Sequence, residues 1–340
     1  MLKDNPDEDR IQISVEGKEL SSYSVTQDVS QGFFTFGSTY RIILLVLGAV
    51  FLVGISAFVL KALDGFDQGQ RHEWGYYSAM FAFLLMTAGS APLVAVAFRL
   101  THNHWRRPLS RISELYAVIG LLSLLWFLPL LPLLPPIEGR KTLWIFDEFP
   151  GVPLWWDFFA VLGLVICGLS LLVVSAIPDI SVVARHNDGS KARILGRIVG
   201  FWRGTQAQWN YHQKALCALG AFYFMLLIFV HSIINVDFVM SLVPGWKDSI
   251  MPAHQALTGL QAAIGSVLVA AFLVRTFGGY KQYIPMETFW SISKILLALS
   301  LLWGYFWFAA LITFWYGRMP VEQIILKTFM FESYRVPFLL

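Results

Sequence analysis

Few side chains in this chain can do chemistry. Asp157 follows Trp155 and Trp156 at the head of one long apolar stretch, and His231 and Asp237 lie near the end of the next. Those stretches run in opposite directions, so the three residues fall at one depth near the same end. Imidazole titrates near neutrality and a carboxylate accepts protons. Together they can hold the two oxygens of a quinone head group and take up the protons freed when its quinol is oxidised. Plainer roles fit the same residues: Asp157 as the N-cap of its helix, His231 as a helix-to-helix hydrogen-bond donor. Towards the other end, Glu114 and Glu287 head their own stretches, where a carboxylate suits the helix macrodipole. Lys294 lies about two turns into the last stretch, within snorkelling reach of the surface. A proton-entry path through Glu114, Glu287 and Lys294 is the functional alternative.

Other chemistries find little support. The loop with His102 and His104 lacks the third ligand and the cysteine that a zinc site needs. Only His231 is near a helix interior, whereas a membrane haem takes facing axial ligands. Cys167 and Cys217 sit inside apolar runs without metal spacing and read as buried small hydrophobes. The expectation is therefore no haem, metal or iron–sulfur cluster of the chain's own. Gly89 and Pro92 interrupt the second run, but no matching break in the sixth marks a transporter.

The elements that must position these groups are transmembrane helices. Hydrophobic residues make up 56% of the 340 and charged ones 14%. Seven apolar runs, at about 41–61, 76–99, 115–135, 153–177, 215–234, 254–275 and 289–315, reach the ~20 residues that cross a bilayer. The fold class is all-α and polytopic, with residues 1–39 a polar N-terminal segment and 40–340 the membrane domain. That segment carries Asp4, Asp7, Glu8 and Asp9, so it is no basic-then-apolar signal peptide. Sixteen Lys and Arg fall on the N-terminal side of the bilayer and eight on the other, which puts the N-terminus in the cytoplasm. The net charge of +3 speaks to topology and gives no nucleic-acid signal. Arg99, Arg106, Arg107 and Arg111 obey that topology rule and also suit anionic lipid heads. The basic-poor side holds Trp74, Trp144, Trp155, Trp156 and Trp246, as an aromatic belt would. A weak parallel repeat, Arg99 with Glu114 and Arg275 with Glu287, suggests two four-helix units. After Trp315 comes a polar stretch to Arg335, and residues 336–340 look like the start of an eighth helix in a longer protein.

Several motifs resemble one family. Pro153-Leu154-Trp155-Trp156-Asp157, followed by Ile177-Pro178-Asp179, resembles the "SPLxWD … IPD" pattern of NrfD/PsrC-like membrane subunits, most closely the quinol-oxidising subunit of alternative complex III. Gly200-Phe201-Trp202-Arg203-Gly204-Thr205 is similar to its "GWxGT", residues 230–238 to its "VHSIVSxDF", Val243-Pro244-Gly245-Trp246 to its "PGWH", and Tyr316-Gly317 with Glu322 to its "WYxGN … E". The resemblance implies two four-helix bundles in a multi-pass protein of the bacterial inner membrane. It also implies a menaquinone or ubiquinone substrate near the periplasmic face, with Asp157, His231 and Asp237 around it. The implied partners are an iron–sulfur or molybdopterin-enzyme-like periplasmic subunit, multihaem cytochromes c, a second NrfD-like subunit and membrane lipids. Two departures stand out. Leu133 to Arg140 replaces the family's "HLGRP" and has no His; Lys247 replaces the His of "PGWH", and His254 follows a few residues on. Glu138 or His254 is then the substitute proton acceptor, or the chain is a structural anchor for extrinsic redox subunits without quinone turnover.

Overall fold

A computed structural model describes residues 13–15, 18–20, 37–64, 74–100, 107–133, 154–186, 190–240, 243, 245–332 and 334–336. Apart from a small antiparallel hairpin, Ile13–Val15 with Lys18–Leu20, every described element is helical. The protein is a polytopic membrane protein. Seven spans are long and apolar enough to cross a bilayer: Tyr40–Leu63, Gly75–Ala97, Pro108–Leu131, Trp155–Arg185, Gln206–Phe238, Met251–Phe277 and Met286–Gly317. In chain order the helices are α1 (Ser38–Asp64), α2 (Gly75–Thr87), α3 (Pro92–Leu100), α4 (Arg107–Phe127, continued by a 3-10 turn Leu128–Leu133), α5 (Leu154–Arg185), α6 (Ser190–Val199), α7 (Gln206–Phe238), α8 (Met251–Phe277), α9 (Met286–Gly317) and α10 (Pro320–Met330). The end carrying Arg99, Arg111 and Arg185 is here the basic end.

Several helices outrun their apolar stretches. Helix α4 starts at Arg107 and α7 at Gln206, well before the runs predicted from 115 and 215. Hydropathy marks only the part that meets hydrocarbon, while the polar first turns continue the same backbone ladder into the interface. At α7 the entry is fixed by a capping box, in which Thr205 Oγ1 accepts from Gln208 N and the Gln208 side chain accepts from Thr205 N. The polar stretch after Trp315 contains a helix, α10, amphipathic enough to bury Ile325.

Helices α2 to α5 and α7 pack together. Their core is built from Phe81, Phe127, Val161, Leu164, Leu171, Tyr223, Leu227 and Val230. Helix α8 lies against α2 and α7 and carries α9 on a second cluster of Ala263, Ile264, Val267, Ala271 and Ile292. Small residues there let the backbones approach, which is how helices associate without a hydrophobic drive between them. Helix α1 stays at the edge: none of its span is buried, and it meets the core through Phe58, stacked on Tyr77 at 5.4 Å.

Three expectations change. Trp155 and Trp156 are exposed as a belt requires, but Trp74 and Trp246 are buried, the first against Phe58 and Tyr77, the second against Val236, Met240 and Ile325. Trp144 lies outside the described residues. Cys167 is buried, whereas Cys217 is exposed on α7. Glu114 does not open its helix; it lies about two turns inside α4. Glu138, the His102–His104 loop, residues 1–12 and residues 337–340 also lie outside the described residues.

Candidate functional site

The second span is broken in mid-membrane. Pro92 has no N–H to donate and its ring crowds the carbonyl four residues back, so the ladder fails over Ala88–Ala91, between α2 and α3. Gly89 N reaches back five residues to Leu84 O, and a Cβ on Gly89 would stand 2.6 Å from Leu85 O. In hydrocarbon the freed backbone groups must find partners; two side chains on neighbouring helices supply them, and a third bonds a side chain at the break. Tyr223 on α7 donates to Gly89 O. Ser113 on α4 inserts its hydroxyl into the ladder, accepting from Ala95 N at 3.1 Å and donating to Ala91 O at 2.6 Å. His231 on α7 pairs through Nε2 with Ser90 Oγ at 3.0 Å. Gly259 on α8 makes room: a Cβ there would lie 2.9 Å from both His231 Nε2 and Ser90 Oγ.

His231 therefore makes a helix-to-helix bond, one of its two sequence-based roles. Asp157, in the first turn of α5, and Asn235 and Asp237, near the end of α7, are buried like it. Asn235 was not singled out from sequence, although it stands one turn from His231 on the same helix face.

A cavity of about 580 Å³ opens at the end opposite the basic one, between the start of α8, the second half of α9, and α10. Its walls combine six aromatic side chains, Trp246, Trp303, Phe306, Trp307, Phe314 and Phe329, with aliphatic ones. His254 enters it, its ring 5.1 Å from that of Trp303. Trp303 Nε1 in turn donates to Thr258 Oγ1 at 3.0 Å, which fixes the indole. The His254 Nε2 atom is buried and has no hydrogen-bond partner among the described residues. Asp248, itself buried, is part of the lining, its Oδ1 accepting from Ile250 N at 2.8 Å and Met251 N at 3.3 Å. It thus secures the start of α8. Of the four residues predicted to meet a quinone, His254 is the one on this wall; Asp157, His231 and Asp237 are in the packed interior. Apart from Trp246, which the sequence offered as a belt residue, the cavity's aromatic residues come from α9 and α10, where no polar motif drew attention to them.

At the basic end Glu114 is 2% exposed and closes an ion cluster. Arg99 Nη2 reaches its Oε1 at 2.5 Å, while Arg111 Nη1 and Ser175 Oγ reach its Oε2 at 2.8 and 2.7 Å. Arg111 also pairs with Asp179 at 2.7 Å and donates to Ser175 O at 2.6 Å. Pro178, inside α5, frees one carbonyl: without its N–H the Val174 carbonyl loses its helical donor, and His212 on α7 bonds it at 2.9 Å instead. The repeat does not extend to this chemistry. Arg275 donates to Lys281 O and Ile284 O, and Glu287 and Lys294 are exposed on α9. Among the described residues no hydrogen bond or ion pair links Glu287 or Lys294 to Glu114. Arg99 and Arg111 serve Glu114, which leaves them poorly placed to hold lipid headgroups.

No group of three or more His, Cys, Asp and Glu side chains among the described residues is arranged to hold a metal. No family model matches this chain, and no curated protein matches it.

Proposed function

We propose that the protein is an integral membrane subunit of a respiratory oxidoreductase that binds quinol in the aromatic cavity and passes its electrons to an iron–sulfur partner. The observation that carries this reading is His254 Nε2, a buried imidazole nitrogen with no hydrogen-bond partner among the described residues, on the wall of a cavity of about 580 Å³ lined by six aromatic side chains and by aliphatic ones. A quinone head group is itself flat and apolar with polar oxygens at its edge. Indole and phenyl faces suit its ring, and the imidazole suits one oxygen. In oxidation the quinol loses two electrons to the partner and two protons. His254 accepts a hydroxyl proton and releases it towards Asp248, which lines the same cavity, before the second follows. The Lys and Arg count places this end outside, so protons leave on that side. The Trp-Asp and His-Asp motifs agree with the NrfD-like resemblance, with the pocket shifted onto His254.

The test is a titration of the purified complex with a quinone analogue, followed through tryptophan fluorescence, for the native protein and His254→Ala. One lost hydrogen bond weakens binding about three- to tenfold. Equal affinity in both proteins removes His254 from the site, and no binding in either favours a structural anchor for extrinsic subunits.

A further inference from the structure

Helix α6 sits at the basic end between two spans, and its residues sort onto three faces. Successive residues on a helix turn by about 100°. Ala192 and Val199 are buried, with Leu195 and Gly196 partly so, and face α5, where the Gly196 position lies 3.9 Å from Ala184 Cβ. Arg193 and Arg197 form a second, exposed stripe. Ile194 and Ile198 form a third, 59% and 64% exposed, and Phe201 just beyond is 62% exposed. A helix at a protein–water surface has no use for such isoleucines, and one inside the bilayer has none for the arginines. Basic and apolar stripes side by side suit the boundary between phosphate groups and acyl chains.

The mounting is firm. Arg185 Nη2 donates to Trp202 O at 2.6 Å, Gln208 Nε2 to Phe201 O at 2.8 Å, and Arg203 N to Gln208 Oε1 at 2.8 Å. Trp202, Trp209 and His212 pack edge to face, with centroids 5.2 to 5.7 Å apart. These contacts hold the turn after α6 against α5 and α7, so its stripes keep a set height relative to the spans.

We propose that α6 is a docking surface for anionic phospholipid, with Arg193 and Arg197 holding headgroup phosphates while Ile194, Ile198 and Phe201 enter the acyl layer. The proposal does not rest on quinone binding, because α6 lies at the end opposite the cavity. The test uses the full chain in detergent, titrated with phosphatidylglycerol and with phosphatidylcholine, and counts retained lipids by native mass spectrometry. The native protein prefers phosphatidylglycerol. Each arginine contributes about fivefold to that preference, so the R193Q/R197Q variant lowers it by about twenty-five-fold, and R193K/R197K retains it. The I194S/I198S variant weakens both lipids alike and leaves the preference standing. An unchanged preference in a folded R193Q/R197Q protein overturns the proposal. So does loss of an attached protein subunit from that variant with lipid retention intact, which makes α6 a protein interface.

Discussion

Replacing Glu114 by Gln removes one negative charge from between two arginines and keeps the shape. In the native protein this carboxylate receives three bonds, from Arg99, Arg111 and Ser175, and is almost fully buried. The bond to Arg99 is short and largely shielded from water, and hydrogen bonds to charged groups contribute about 1.5–3 kcal/mol. Arg111 is 42% exposed, so its pairing is discounted to about 0.2–1 kcal/mol. Ser175 has a second acceptor, Leu172 O at 3.0 Å, and loses little. The sum is about 2–4 kcal/mol, in line with about 3–5 kcal/mol for breaking a buried ion pair by removing one partner. The assay is equilibrium unfolding of the purified full chain in detergent, with Asp179→Asn as control. Asp179 is 54% exposed, so its bond to Arg111 is expected to contribute under about 1 kcal/mol. Removing both charges, with Glu114→Leu and Arg99→Leu together, restores part of the loss, since no lone charge is left buried. A loss below about 1 kcal/mol in Glu114→Gln, or an equal loss in Asp179→Asn, refutes the claim that this cluster ties α3, α4 and α5 together.

Two more perturbations test the helix irregularities. Gly259→Ala drives a Cβ into His231 and Ser90 and lowers stability by about 1–3 kcal/mol, whereas Gly265→Ala on the same helix meets nothing within 4 Å and leaves the melting temperature unchanged or higher. In Pro178→Ala the restored N–H competes with His212 for Val174 O, so His212→Phe is less harmful in that background than in the native one; a double-mutant cycle with purely additive effects contradicts this account.

Spans were legible because a bilayer demands about twenty apolar residues whatever the tertiary contacts. Partners were not. Glu114 looked like a helix-opening carboxylate because the first two turns of α4 are polar, and nothing in a string of residues says that Arg99 and Arg111 arrive at the same point. Gly89 and Pro92 were visible as an irregularity, but the hydroxyls and imidazole that complete the break come from α2–α3's neighbours, more than fifteen residues away along the chain. The Ile177-Pro178-Asp179 motif could be matched by eye, while its effect, the Val174 carbonyl released to His212, needed coordinates. Helix α10 was hidden because Glu322, Gln323 and Lys327 dilute a short stretch whose apolar residues recur at helical spacing only on one side.

The interruption at Ala88–Ala91 also has a mechanical consequence. An unbroken span would behave as a rod, so that any tilt at one tip would swing Arg99 at the other. Here the rod is two levers on a joint. One lever, α2, leans on α8, the helix that carries His254, and the other, α3, is pinned by Arg99 and the Ser113 hydroxyl to α4. A change in the angle between α2 and α3 therefore needs no helical hydrogen bond to break beyond those the interruption already lacks.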